Sequence, residues 1–260
     1  MPFQETSGLR LYRFEIFPSG VTQAVFTRKG GISPAPWDTL NVGGTVGDEA
    51  RRVRENRVRS FNAVGRRLDS MFDVWQVHSA DHVLAEAPRQ AAEGYRKADI
   101  ILTDKPEVTL FMRFADCVPV LLFDPVKAVI GMVHAGWLGT VRGATRSAVE
   151  AMAASYGSRP GELMAAIGPS IGPDHYEVGG DVLEAVTRAF GADAAELVES
   201  REGKSYLDLW AANRVQLQQA GVTQIEISGL CTACHTDDWF SHRAEKGKTG
   251  RFGALMALPG

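Results

Sequence analysis

Along this chain, short apolar runs alternate with clusters of glycine, proline and polar residues. Ten of the runs have the period-2 or continuous apolar character of strands: LYRFEIF (11 to 17), VTQAVFT (21 to 27), FDVWQVH (72 to 78), ADIILT (98 to 103), EVTLFMR (107 to 113), VPVLLFD (118 to 124), AVIGMVH (128 to 134), LMAAIG (163 to 168), TQIEIS (223 to 228) and GALMAL (253 to 258). Helical spacing falls between them. Ala50, Val53, Phe61 and Val64 share a face behind a cap at Asp48, and Val141, Ala144, Ala148, Met152 and Tyr156 share a second. Val182, Val186 and Phe190 define a third, and Leu207, Trp210, Ala211 and Val215 a fourth. Strands outnumber helices and the two are interspersed, which predicts a mixed α/β class. No repeat, low-complexity tract or flexible linker divides the 260 residues, so one domain over 1–260 is expected.

Composition removes several function classes. Hydrophobic residues at 45% and charged residues at 23% are those of a globular protein, not a disordered or fibrous one. A net charge of −3 without a basic block gives no face for phosphate neutralisation along a polynucleotide, so no nucleic-acid partner is expected. The opening MPFQETSGLRLYRFE lacks a basic and then apolar leader, and Asp124, Pro125 and Lys127 break the longest apolar stretch. No membrane association is expected, and a cytoplasmic location is. Three cysteines, an odd number, suit reduced thiols better than a disulfide framework.

Three segments carry candidate chemistry: WQVHSADH, FADCVPV and MVHAGWLGT. Each sets a metal-competent side chain, His78, Cys117 or His134, at the boundary of a predicted strand. Two imidazoles and a thiolate form a first shell for zinc and leave the fourth tetrahedral position open, as a catalytic site requires. No local spacing rule links the three, and a buried cysteine or a hydrogen-bonded histidine is the plain alternative at each. Gly136 and Gly139 allow close backbone approach after His134.

The motifs WQVHSADH, ADCVPVLLFDP, VHAGWLGT, AIGPSIGPDHYEVGGDV, YLDLWAANRVQL and GLCTACHTDDWFSHR...KTGRFGALMAL, in that order, resemble the laccase-domain family, also described as multicopper polyphenol oxidase-like proteins. FTRKGGIS...PWDTLNVGGTVGD...VRENR extends the likeness to nearly the whole chain. The resemblance implies a four-layer α/β/β/α fold around a mixed β-sandwich, related to the catalytic domains of cytotoxic necrotizing factors. It implies one zinc per chain, held by His78, Cys117 and His134. The implied substrates are purine nucleosides and inorganic phosphate: phosphorolysis of adenosine, inosine, guanosine and methylthioadenosine, and deamination of adenosine. Oligomeric state is left open. Laccase activity in the strict sense fails on ligand arithmetic, because the six histidines, His78, His82, His134, His175, His235 and His242, cannot supply both a blue copper site and a copper cluster. Copper is expected only as an adventitious replacement for zinc.

For deamination the zinc-deaminase signature H-x-E with P-C-x-x-C is missing, and Asp116, beside the ligand cysteine, is the candidate acid or base. Its plain alternative is a strand-end residue capping local backbone. For phosphorolysis, the planar fork of arginine suits phosphate, and Arg28, Arg243 and Arg251 are the candidates, Arg28 also as a catalytic group, with Asn41 as a further binding residue. Solvated surface arginine is the alternative for each. GKT at 247 to 249 is no phosphate loop, since His242 stands where its first glycine belongs. Trp75, Trp137 and Phe240 could stack on a purine or simply fill the core.

Two places depart from the family pattern: Leu138 interrupts the usual GWRG, and His242, Arg243, Ala244 replace the usual YRR of SYRR. Both bear on phosphate and substrate, not on the three ligands. The pair Cys231 and Cys234 in CTACH has too few remaining cysteines to complete a metal site, so a reduced, packed pair is expected. Two other function classes stay open: a metal-free cysteine hydrolase with Cys117 as nucleophile and His134 as base, and a binding or scaffold protein with weak activity.

Overall fold

The structure is a computed structural model and describes residues 2–90 and 92–260. Its class is mixed α/β, built on two six-stranded mixed sheets. One sheet runs in the order β1 (Phe3–Thr6), β2 (Leu9–Tyr12), β3 (Thr22–Phe26), β15 (Phe252–Ala257), β7 (Thr109–Phe114), β4 (Met71–Phe72). The other runs β14 (Gln224–Ile227), β10 (Met164–Ile167), β8 (Val118–Asp124), β9 (Val129–Ala135), β6 (Ile100–Thr103), β5 (His82–Leu84). A small third sheet joins β11 (Glu177–Val178), β13 (Lys204–Leu207) and β12 (Val198–Arg201).

Period-2 alternation decides what each strand face meets. In β8 and β9, Val118, Val120, Leu122, Val129 and Val133 join one buried cluster with the helices, while Leu121, Phe123, Ile130 and Met132 turn to the opposite face. That opposite face meets Val25, Leu110, Met112, Phe114, Ala254 and Met256 of the first sheet, so the core between the sheets is apolar on both sides. Burying each of these large side chains contributes about 1.5–3 kcal/mol. The helices packed on the second sheet include α3 (Ala144–Tyr156) and α6 (Leu209–Gln219), and α4 (Gly180–Phe190) adds Val182, Val186 and Phe190 to the same cluster. On the outer side of the first sheet, Leu11, Ala24, Phe26, Phe111 and Leu255 form a third cluster with Phe61 of α1 (Ala50–Ala63).

Several elements differ from the sequence expectation, each for a local reason. Asp48 does not cap α1. Glu49 is the N-cap residue, and the Asp48 carboxylate accepts from Ser33, Asn41 and the Glu49 amide. The predicted helix from Val141 is broken at Gly143, whose φ of 80° suits glycine, into α2 (Trp137–Val141) and α3. Leu207 closes β13 and is not part of α6, which Asp208 caps by accepting from the Ala211 amide. The strand expected over 72 to 78 leaves its ladder after Phe72, because Asp73 is buried between Arg89 and Arg113, and the Gln76 side chain, not a neighbouring strand, pairs with the Arg113 backbone. The hairpin β12–β13 turns through Glu202 and Gly203, both at positive φ. It and the short α5 (Ala194–Leu197) carry no period long enough to be read from sequence.

Candidate active site

His78, Cys117 and His134 converge, although 56 residues separate the first from the last: their ligand atoms all lie within 4.8 Å of one another. Strand register explains His134. The alternation that sends Val133 and Ala135 toward the helices turns His134 to the face between the sheets, where its ring centroid lies 5.5 Å from that of Phe114. Cys117 immediately precedes β8, beside Asp116 at φ 79°. His78 is itself at φ 60°, a conformation costly for a non-glycine residue. One group holds that loop. The Asp99 carboxylate accepts from the Val77 amide at 3.1 Å and the Ser79 amide at 2.6 Å, on either side of His78.

Asp99 also organises His134, through a 2.8 Å contact to Nδ1 that leaves Nε2 for the cluster. It is fully buried and lies outside the sequence motifs that mark the three cluster residues. A carboxylate inside the apolar run ADIILT was the available signal, because a buried charge needs partners. Burial alone would raise the Asp99 pKa, but the hydrogen bonds from His134, Ser79 and Val77 and the His134 charge hold it below the ordinary carboxylate range. Burial likewise opposes the Cys117 thiolate, yet the His134 charge and the hydrogen bonds of both imidazoles bring the thiol down to about 6. His134 moves the other way, to about 9: burial disfavours its charge, and Cys117 and Asp99 outweigh burial. Each partner thus favours the charged form of the other, the Cys117 thiolate and the His134 imidazolium. Gly136 closes it from above, since a Cβ there would lie 2.8 Å from Cys117 Sγ and 3.0 Å from His78 Cδ2.

The donors suit a borderline ion. Two imidazoles and a low-pKa thiolate, with a carboxylate behind one imidazole and an open side, match a catalytic zinc site in type and number. They face two cavities. The smaller, about 220 Å³, is lined by His78, Asp116, Cys117, Trp137, Leu138 and Tyr176 among others. The larger, about 910 Å³, shares His78, Asp116, Cys117 and Tyr176 with it and adds His134, Trp75 and Tyr95. Five arginines also line it: Arg54, Arg57, Arg113, Arg243 and Arg251. Arg57 donates to the Val42 carbonyl and Arg251 to the carbonyls of Thr249 and Gly250, not to carboxylates. Desolvation lowers both their pKa values, and Arg113 lowers that of Arg57 further.

The residues singled out in the sequence fall into two sets. Arg243 and Arg251 reach the large cavity, and Asp116 reaches both. The Asp116 carboxylate accepts from Thr232 Oγ1 at 2.7 Å and from the Arg243 amide at 2.6 Å, so it fastens the C-terminal segment to the cluster. Arg28 and Asn41 do not line either cavity. Arg28 is bound by Asp38, the Thr236 carbonyl and Glu245, and its guanidinium lies 4.4 Å from the centroid of Phe240. Asn41, fully buried, accepts from the Gly43 and Arg251 amides and donates to Asp48. Of the aromatic candidates, Trp75 and Trp137 line cavities and Phe240 is core. Arg57 and Arg113 went unnoticed because nothing local distinguishes them from surface arginine. The CTACH pair is corrected in one respect: both thiols are free, but only Cys231 is buried and Cys234 is exposed.

The fold and site define a class: a two-sheet sandwich whose seam holds a His, Cys, His cluster that could hold a metal ion, beside an arginine-lined cavity. The family model described as multi-copper polyphenol oxidoreductase laccase matches residues 22–259, and the chain belongs to that family. Among its relatives, a "Purine nucleoside phosphorylase" of Deinococcus radiodurans is 42% identical over 239 residues, covering 92% of this chain and 90% of that protein. "Purine nucleoside phosphorylase YlmD" of Bacillus subtilis is 36% identical, covering 89% and 86%. The crystal structure of YlmD from Geobacillus stearothermophilus superposes with a TM-score of 0.92 at 32% identity, over 100% of this chain and 99% of that one. Among the described residues, no helix is long and apolar enough to cross a membrane.

Proposed function

We propose that this chain is a purine nucleoside phosphorylase that binds one zinc ion at His78, Cys117 and His134 and acts on purine nucleosides with inorganic phosphate. One observation carries the reading: the metal-competent cluster opens onto the same cavity as the half-buried guanidiniums of Arg57 and Arg251, which donate to carbonyls and not to carboxylates. Partly desolvated guanidiniums held by carbonyls keep donors and charge for an anion, and an anionic co-substrate supplies it. The names of the relatives agree with this.

In this reading Arg57, Arg113, Arg243 and Arg251 hold phosphate, with Arg113 kept in place by Asp73 and Gln76. The exposed faces of Trp75 and Tyr95 offer a base stacking surface. Zinc, when bound, supplies Lewis acidity. Asp116 carries a proton to or from the base, its orientation fixed by Thr232 and Arg243. Asn41 and Arg28 act through others: Asn41 positions the Arg251 backbone, and Arg28 ties the 38, 236 and 245 segments together. Adenosine, inosine, guanosine and methylthioadenosine are the expected substrates, with adenosine deamination as a second outcome at the same site. Copper enters only as a replacement ion. The four-layer α/β/β/α description, the kinship with necrotizing-factor domains, the single domain and the cytoplasmic location belong to the same reading, and the three buried clusters support its layering.

The cysteine-hydrolase reading has one observation behind it, since Cys117, His134 and Asp99 form a nucleophile, base and orienting carboxylate. The relatives' names do not favour it, and a hydrolase has no need of His78 at the same point. Incubating the purified protein with each nucleoside and phosphate, and separating base, ribose 1-phosphate and inosine, tests the proposal. Base release that needs phosphate and is lost on chelation and restored by zinc is expected. Activity that survives complete metal removal overturns the zinc assignment, and no product from any purine nucleoside overturns the activity itself.

A further inference from the structure

We propose a second metal site, for a zinc-class divalent ion, formed by Cys231, Cys234 and His175 on the far side of the C-terminal turn. The fold supplies a third donor for the C-x-x-C pair from 56 residues upstream of Cys231: the two sulfurs and one His175 nitrogen all lie within 4.8 Å of one another. His175 Nδ1 is 3.8 Å from Cys231 Sγ and 3.4 Å from Cys234 Sγ. The edge of a tetrahedral zinc site, with metal–sulfur and metal–nitrogen bonds of ordinary length, is about 3.6 Å. Cys117 Sγ and His78 Nε2, in the first cluster, are 3.8 Å apart.

The surroundings of Cys231 suit ligation, while burial and the neighbouring Cys231 push the Cys234 thiol up to about 11, so an ion must displace its proton. The Gly172 amide donates to Cys231 Sγ at 3.2 Å, and a Cβ at Gly172 would lie 3.0 Å from Cys231 Cβ, so the backbone is already drawn against the sulfur. Cys231 is anchored by its bridge to Ser170, and the turn after it is closed by the His235 amide donating to the Cys231 carbonyl. His175 and Cys234 are exposed, which leaves the fourth position to water. Such an ion would staple the 170–176 loop to the 231–243 segment. These two pieces bring Tyr176, His242 and Arg243 to the large cavity, so an ion here would order one wall of that cavity without sharing a ligand with the first cluster.

Cobalt(II) titrated into the reduced full-length C117S variant isolates this cluster from the first. A near-ultraviolet thiolate-to-cobalt charge-transfer band with intense tetrahedral visible bands is expected, and both are expected to vanish in C117S/C234S and in C117S/H175A. Cys234 and His175 are exposed, so these variants are expected to fold, and circular dichroism of the metal-free proteins checks that they do. Elemental analysis should find about two zinc ions per wild-type chain and about one in H175A. Absence of the charge-transfer band in C117S with both remaining thiols titratable, or a Cys231–Cys234 disulfide that persists through reduction, overturns the proposal. Neither result touches the phosphorylase reading, which rests on the other cluster.

Discussion

Asp99 concentrates more of the site's geometry than any ligand does. One carboxylate oxygen meets His134 Nδ1 while the other accepts the two amides that bend the chain around His78. Asp99→Asn keeps the volume, yet its single acceptor oxygen cannot both take the two backbone amides and accept from His134 Nδ1. Zinc affinity, measured by competition with a chromophoric chelator, is expected to fall about 10- to 100-fold. Gly136 tests the same cluster sterically. Its φ is −72°, which alanine adopts freely, so the backbone tolerates Gly136→Ala. The added methyl would sit against Cys117 Sγ, and metal binding should be lost with the far-ultraviolet circular dichroism unchanged. Unchanged zinc affinity in this variant would show that the sulfur has room to move.

At the scale of elements, the site depends on loops fastened to helices. Asn56 of α1 donates to Ser33 Oγ and to the carbonyls of Thr39 and Asn41, and Asp48 accepts from Ser33 and Asn41. Together they set the 31–48 loop from which Asn41 positions Arg251. Burial tends to raise the Asp48 pKa, but the hydrogen bonds from Ser33, Asn41 and Glu49 and the charge of Arg52 lower it overall. Its contribution to stability is therefore present above the unfolded carboxyl value of about 3.9 and is lost as pH falls through the lower folded value. Asp48→Asn should cost about 1–3 kcal/mol at neutral pH by denaturant titration, and its difference from the wild type should close as the pH falls below about 4. A difference that persists unchanged in acid would locate the effect in shape, not charge.

For the molecule as a whole, the arginine-lined cavity links ligand binding to stability. If phosphate neutralises Arg57 and Arg251, the folded state gains about 2.7 kcal/mol at a phosphate concentration near 100 times the dissociation constant. The melting temperature should climb with phosphate, and Arg251→Ala or Arg57→Ala should flatten that climb and raise the KM for phosphate by about tenfold or more. An equal rise in sulfate-free chloride buffers of matched ionic strength would indicate screening instead of a site.

How much of this was legible in the sequence varies with the range of the interaction. Periodicity is local, so it located the strands of the sandwich core and the apolar faces of α1, α3 and α4, and the side-chain chemistry of His78, Cys117 and His134 marked them as possible ligands before their meeting was visible. The strand over 72 to 78 failed because its polar residues serve Arg89 and Arg113, partners 16 and 40 residues from Asp73. The places of Asp99 behind His134, of Arg57 on the cavity wall and of His175 beside Cys234 were invisible for the same reason: a carboxylate, a guanidinium or an imidazole acquires its surroundings from neighbours that only packing supplies. The sequence by itself therefore determined the elements, the family and the types of donor available. Only the tertiary structure decided which donors share a point in space, because strand register and the loops between the two sheets, not spacing along the chain, fix the distances on which ligation and charge pairing depend.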